Sequence, residues 1–287
     1  MTTSPTDTFV TPAWLKERLA SADVVAVDAS FYLPDEGKDA DVLFRAAHVP
    51  GAVRFNVDAI ADHSVALPHM LPDAATFGEM VGALGLSETM TIVVYDATDL
   101  LGGARAWWML RHYGAKDVRI LEGGLKAWEA SGFPVETGPS LRAAAAFNAQ
   151  FDDSTVVDSR KVAEASATGA KQIVDARAAT RFAGAVPEPR PGLRSGHIPG
   201  ARNVPWRELV DIGGRLKSPD AIAAAFQRAG VDIEKPIITS CGSGVSAAVL
   251  ILGLEQVGRG GADLYDGSWS EWGARQDLPI ETGPADP

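Results

Sequence analysis

One side chain in this 287-residue chain stands out as a nucleophile: Cys241, the only cysteine. It follows the β-branched run Ile237-Ile238-Thr239, which reads as a buried strand. Ser246-Ala247-Ala248-Val249-Leu250-Ile251-Leu252 reads as the start of a helix. Cys241 is therefore expected at the carboxyl end of a strand, in a tight loop that faces a helix amino terminus. Unpaired backbone N–H groups and the positive end of the helix dipole converge on such a loop, and both favour a thiolate. Gly242 and Gly244 let the backbone curl without Cβ clashes. The N–H groups of Gly242, Ser243, Gly244, Val245 and Ser246 can then point at one anion, as in a backbone nest. The chemistry this supports is nucleophilic attack by sulfur.

Three other readings of the loop are weaker. Gly242-Ser243-Gly244-Val245-Ser246-Ala247 fits the G-x-G-x-x-A dinucleotide fingerprint, and Asp263 follows about 20 residues on. That fingerprint normally opens the first βαβ unit of its domain, whereas this loop comes late. A cysteine phosphatase would hold phosphate with an arginine six positions after the cysteine; here that residue is Ala247. A buried structural cysteine needs neither the flanking glycines nor the helix start.

A strand and helix must hold that loop, and the chain has the means to build them twice. Val24-Val25-Ala26-Val27-Asp28, Thr91-Ile92-Val93-Val94-Tyr95 and Val118-Arg119-Ile120-Leu121 read as buried parallel strands. Thr11 followed by Pro12 reads as a helix cap, and Ala104 to Tyr113 as a helix. The same order then returns. Ile173-Val174-Asp175-Ala176 echoes Val27-Asp28-Ala29, and His197-Ile198-Pro199-Gly200-Ala201 echoes His48-Val49-Pro50-Gly51-Ala52. Tyr265 to Trp272 echoes Leu121 to Trp128, and Pro279 to Gly283 echoes Pro134 to Gly138. Ordered matches at a nearly constant offset imply a tandem repeat of domain size. Each copy is expected to be an α/β domain with a mainly parallel sheet flanked by helices. The expected division is 1–140, an Ala-rich linker over 141–160, and 161–287. Cys241 falls opposite Asp96, which cannot carry sulfur chemistry, so only the second domain is expected to be catalytic.

The remaining composition narrows the class. A net charge of −11 argues against nucleic acid. One cysteine and five scattered histidines give no metal-ligand spacing, and no resident cofactor is expected. The amino terminus is polar and no run of about 18 apolar residues occurs, so neither a secretory leader nor a membrane span is expected, and the default is cytoplasmic. Gly102-Gly103-Ala104-Arg105 lacks phosphate-loop form, and Arg105 is read as a helix-surface arginine. His63 and His69, in the loop around Pro68-His69-Met70-Leu71-Pro72, lack metal-ligand spacing and are read as shaping the domain interface.

Together these residues resemble the two-domain rhodanese (sulfurtransferase) family over nearly the whole chain. The markers are His-Ile-Pro-Gly-Ala and its variant, the Asp-Gly-x-x-x-x-Trp turn, and a six-residue loop led by cysteine. Cys241-Gly242-Ser243-Gly244-Val245-Ser246 is similar to the Cys-Gly-Ser-Gly-Val-Thr loop of the mercaptopyruvate branch, with serine in place of threonine. The thiosulfate branch typically has basic residues there. The resemblance implies a Cys241 persulfide, helped by Ser243 and the loop N–H groups. It implies that Arg181 and Arg190 hold the carboxylate and keto oxygen of the sulfur donor. Guanidinium forks suit that task. It also offers His48 as a proton-transfer residue, whereas His197 reads as a turn histidine. The implied partners are a small sulfur donor and an external thiol such as thioredoxin, or cyanide, because no second cysteine can resolve a persulfide. The competing expectations are a thiosulfate:cyanide sulfurtransferase, favoured by a basic loop, and a non-catalytic rhodanese binding module, favoured by loss of the cysteine.

Overall fold

The structure, a computed structural model, describes residues 8–33, 36–140 and 142–285. The polar stretch 1–7 and Leu141, at the start of the expected linker, lie outside the described residues. The chain divides into two compact units. The first comprises Met1–Asp62, Leu71–Asp153 and Ile212–Arg215; the second comprises His63–Met70, Ser154–Asp211 and Leu216–Pro287.

In the first unit the strands are β1 (Phe9–Val10), β2 (Val24–Asp28), β3 (Val53–Arg54), β4 (Thr91–Tyr95) and β5 (Asp117–Leu121). The helices are α1 (Pro12–Arg18), α2 (Ala40–Ala46), α3 (Ala74–Ala83), α4 (Leu101–His112) and α5 (Gly124–Ala130). The sheet runs β1-β5-β4-β2-β3, and every pair is parallel. Thr11 caps α1 by accepting from the Trp14 N–H, with Pro12 at the first helical position.

The second unit repeats the plan with β6 (Val156–Val157), β7 (Gln172–Asp175), β8 (Arg202–Asn203), β9 (Ile237–Ser240) and β10 (Asp263–Tyr265). Its helices are α6 (Ser159–Thr168), α7 (Ala179–Phe182), α8 (Pro219–Arg228), α9 (Ala247–Gln256) and α10 (Ser268–Trp272). The order β6-β10-β9-β7-β8 is again all parallel. The α/β expectation and its parallel sheets are thus observed. Parallel strands need both faces covered, and β2, β7 and β9 are buried nearly throughout. Apolar side chains fill each unit: Leu15, Val93, Tyr95 and Trp128 in one, Val162, Ile238, Tyr265 and Trp272 in the other. Trp128 and Trp272 each donate to a proline carbonyl, of Pro134 and Pro279, at 2.8 Å.

Two features depart from the sequence reading. The expected linker is bonded into the first unit as far as Asp153. Ala145 N–H donates to the Gly82 carbonyl at the end of α3, and Asn148 gives two hydrogen bonds to Glu88. Those Asn148 bonds hold the Glu88 carboxyl down at about 2. Arg105, expected on a helix surface, is fully buried, because α4 is buried all round from Leu101 to Leu110. No helix among the described residues is long and apolar enough to cross a membrane.

Candidate active site

β9 ends at Ser240, so Cys241 leaves the carboxyl end of a central strand, beside Asp175 at the end of β7. Ligands collect outside the carboxyl ends of parallel strands, where the strand order reverses. The loop closes on the amino terminus of α9, as the sequence predicts. Cys241 is 2 % exposed.

The turn into α10 clamps the loop from below. Trp269 N–H donates to the Cys241 carbonyl at 3.0 Å, and Ser270 donates its N–H and its hydroxyl to the Gly242 carbonyl at 2.9 and 2.7 Å. Ser268, 0 % exposed, accepts from the N–H groups of Cys241 and Gly244, both at 3.1 Å, and donates to the Tyr265 carbonyl. It does so with a φ of 47°, left-handed backbone that a non-glycine residue holds at a cost. At the matching place the first unit has Gly124, at 57°. The serine therefore keeps a strained backbone where glycine would be at ease, and what it gains is one oxygen that fixes two loop N–H groups.

This corrects one expectation. The Gly244 N–H is taken by Ser268 rather than left for the sulfur. Gly244 itself turns the chain, at a φ of 78°. Among the described residues no acceptor meets the N–H groups of Gly242, Ser243, Val245 or Ser246. They are the open donors of the cradle.

The Ser243 hydroxyl shares a hydrogen bond of 2.9 Å with Nδ1 of His69, and both side chains are buried. His69 has a φ of 60° and belongs to the His63–Met70 segment of the second unit. The sequence reading gives it no part in the active loop. Its partner is 174 positions away, and no periodicity links them.

His48 and His197 have matching environments. Nδ1 of each meets a carbonyl, of Phe44 at 2.8 Å and of Phe182 at 2.9 Å. Each ring stacks on that same phenylalanine, at 4.2 and 3.8 Å between centroids. Nε2 of each faces a glutamate across an isolated bridge, Glu136 and Glu281. His48 thus makes, in the first unit, the turn contacts that His197 makes in the second.

Arg181, at the end of α7, has a side chain 19 % exposed, and its fork meets Glu188: Nη2 to Oε2 at 2.5 Å and Nε to Oε1 at 3.4 Å. Its outer edge lies against the loop, with Nη2 3.2 Å and Nη1 3.8 Å from where a Cβ on Gly242 would stand. A side chain at 242 would push that guanidinium away. Arg190 is half-buried, in the same turn as Glu188.

Behind them is Arg177, which the sequence reading does not single out. It is buried, forks onto Asp175 and donates to Glu188 and to the Gly196 carbonyl, and it lies 4.4 Å from the Trp269 ring. Burial opposes its charge, but Asp175, Glu188 and a charged Cys241 together raise its pKa.

The loop of the first unit has its own anion. The Asp96 carboxylate accepts from the N–H groups of Thr98, Leu100 and Gly103, at 3.2, 2.9 and 2.8 Å. Burial outweighs these bonds and raises its pKa to about 6. The folded carboxyl therefore binds its proton at a higher pH than the unfolded one does. Stability is lost as pH rises from about 4 through 6, by about 3 kcal/mol. Asp96→Asn removes this component. Amide exchange of Val93 and Val94 at pH 4.5 and 7.5 measures it. The pH dependence of protection should be steeper in the wild type than in the variant.

The arrangement is a buried thiol on a curled loop with open N–H donors and a flanking guanidinium, on the second of two α/β repeats, which is the site of a sulfur-carrying domain. The model of the rhodanese-like domain matches residues 11–131 and 158–275, and the chain belongs to the rhodanese family. It is 46 % identical over 274 residues to the 3-mercaptopyruvate sulfurtransferase of Escherichia coli K12, covering 95 % of this chain and 97 % of that one. It is 39 % identical to the thiosulfate sulfurtransferase of Gallus gallus, covering 92 % of each. The crystal structure of SseA from Escherichia coli superposes with a TM-score of 0.85 at 41 % identity, covering 93 % of this chain and 99 % of SseA. That of Tum1 from Saccharomyces cerevisiae gives 0.86 at 29 %, covering 97 % and 98 %.

Proposed function

We propose that this chain is a sulfurtransferase that takes sulfur from 3-mercaptopyruvate onto Cys241, releases pyruvate, and passes the sulfur to an external thiol or to cyanide. The observation that carries the donor choice is the neutral loop with Arg181 lying against Gly242. The Cys241 thiolate attacks the donor's sulfur. The carbon–sulfur bond breaks, its electron pair goes to the carbon, and pyruvate leaves as the enolate or is protonated as it leaves. The charge on the persulfide's outer sulfur is met by the N–H groups of Gly242, Ser243, Val245 and Ser246, an oxyanion-hole logic applied to sulfur. Ser243 and His69 hold the proton that the enolate takes, a role supported by the hydrogen bond between them. Arg181 and Arg190 receive the donor's carboxylate and keto oxygen. His48 is a turn residue.

Catalysis is confined to the second unit, because Asp96 occupies the nucleophile's position in the first. The acceptor is external, a thiol such as that of thioredoxin, and the site is proposed to work in the cytoplasm without a cofactor.

The second reading is thiosulfate as donor, favoured by the likeness to the Gallus gallus protein. The test is kcat/KM for each donor with cyanide as acceptor. We expect 3-mercaptopyruvate to be preferred, and Arg181→Ala or Arg190→Ala to lower its kcat/KM by about 10- to 100-fold, the worth of one charged hydrogen-bonded contact. A preference for thiosulfate would reject the donor assignment.

A further inference from the structure

The proline-rich turn 183–191 exposes Ala185, Val186, Pro187, Pro189 and Pro191 but turns one acid inward: the side chain of Glu188 is 1 % exposed. A carboxylate is not buried from a surface loop unless its charge is answered. Arg177 does not need it for that purpose. The fork of Arg177 is already closed on Asp175, so those two form a neutral pair. Asp175, Glu188, Arg177 and Arg181 together are also neutral, and the charge that Glu188 balances is that of Arg181.

The bonds have a direction. Glu188 takes the Nε and Nη2 side of Arg181, while Arg177 Nη1 holds the carboxylate from behind at 2.9 Å. The Nη1–Nη2 end of Arg181 is left facing Gly242, the residue next to the nucleophile. A guanidinium can offer a planar anion either its side or its end, and here only the end remains.

We propose that Glu188 is a positioning residue that selects the edge Arg181 presents, and so sets the affinity of the site for a carboxylate-bearing sulfur donor. This rests on the donor reading above. In Glu188→Gln one acceptor oxygen becomes an NH2 facing a guanidinium donor, and the fork loses its lock at almost constant volume.

The test is a double-mutant cycle in the full chain: wild type, Glu188→Gln, Arg181→Ala and both together, assayed with 3-mercaptopyruvate and with thiosulfate, cyanide being the acceptor. Glu188→Gln should raise KM for 3-mercaptopyruvate by about 10-fold or more, leaving kcat within about threefold. In the Arg181→Ala background the same change should alter KM by less than about twofold, because Glu188 acts through Arg181. Glu188→Asp, which keeps the charge but shortens the reach, should fall between. Equal, additive losses in both backgrounds would mean that Glu188 only packs the turn, and would overturn the proposal, as would an unchanged KM. The alkylation rate of Cys241 by iodoacetamide reports whether the loop is intact. If a variant loses the loop, the Glu188→Asp comparison decides in its place. If the wild type prefers thiosulfate, the donor reading fails, yet the cycle read on the thiosulfate KM still tests whether Glu188 and Arg181 are coupled.

Discussion

Cys241→Ser abolishes sulfur transfer from either donor, with kcat/KM falling by at least about 10⁴-fold. Serine keeps the shape and leaves the cradle of N–H groups in place, but a hydroxyl gives almost no anion near neutral pH and forms no persulfide. The chain offers no substitute, since it has no second thiol. The check has two parts. Wild-type protein mixed with 3-mercaptopyruvate without an acceptor should release one pyruvate per chain and gain the mass of one sulfur atom. The serine variant should do neither. Turnover retained by the variant would end the assignment of the nucleophile.

The second large effect is expected from Ser268, which need not touch the donor. Its oxygen holds the N–H groups of Cys241 and Gly244. Ser268→Ala removes the oxygen that both buried donors share, at about 1–3 kcal/mol for each bond lost. The loop then has reason to turn those N–H groups elsewhere, and the remaining donors lose their convergence. We expect persulfide formation to slow by about 10²- to 10³-fold, the range seen when one donor of an oxyanion hole is lost. Ser268→Gly separates the hydroxyl from the backbone strain. Glycine accepts a φ of 47° freely, so if strain were the point, this variant would work as the wild type does. We expect it to be as slow as the alanine variant. Single-turnover release of pyruvate measures both. A fast glycine variant would show that the oxygen is dispensable.

Much of this architecture was legible because it is written twice. The repeat placed Cys241 opposite Asp96 and His197 opposite His48. Buried apolar runs located β2, β4, β7 and β9, since parallel strands covered on both faces need little else. The repeat also held an unused signal: Ser268 stands where the first copy has Gly124, and a polar residue replacing a left-handed glycine marks a position held for its side chain. Other features had no such trace. The bond between His69 and Ser243 joins residues far apart in sequence, by folding alone. The contacts of Glu188 depend on which way a proline-rich turn faces, which composition does not fix. The stretch 142–153 looked like a linker because alanines carry no amphipathic pattern. It is held through backbone groups against the glycines of α3, which no hydropathy pattern reports.

The assignment of His63–Met70 to the second unit limits how the protein can be taken apart. A fragment beginning at Ser154 would carry the whole β6–β10 sheet and Cys241 but not the imidazole bonded to Ser243. A gene cut at the boundary of the duplication would therefore separate the nucleophile from that imidazole. Either half transplanted into another protein would leave behind part of what it needs. The two units match as repeats, yet the site of the second is completed by a segment that precedes it in the chain, so the boundary of the repeat is not the boundary of the site.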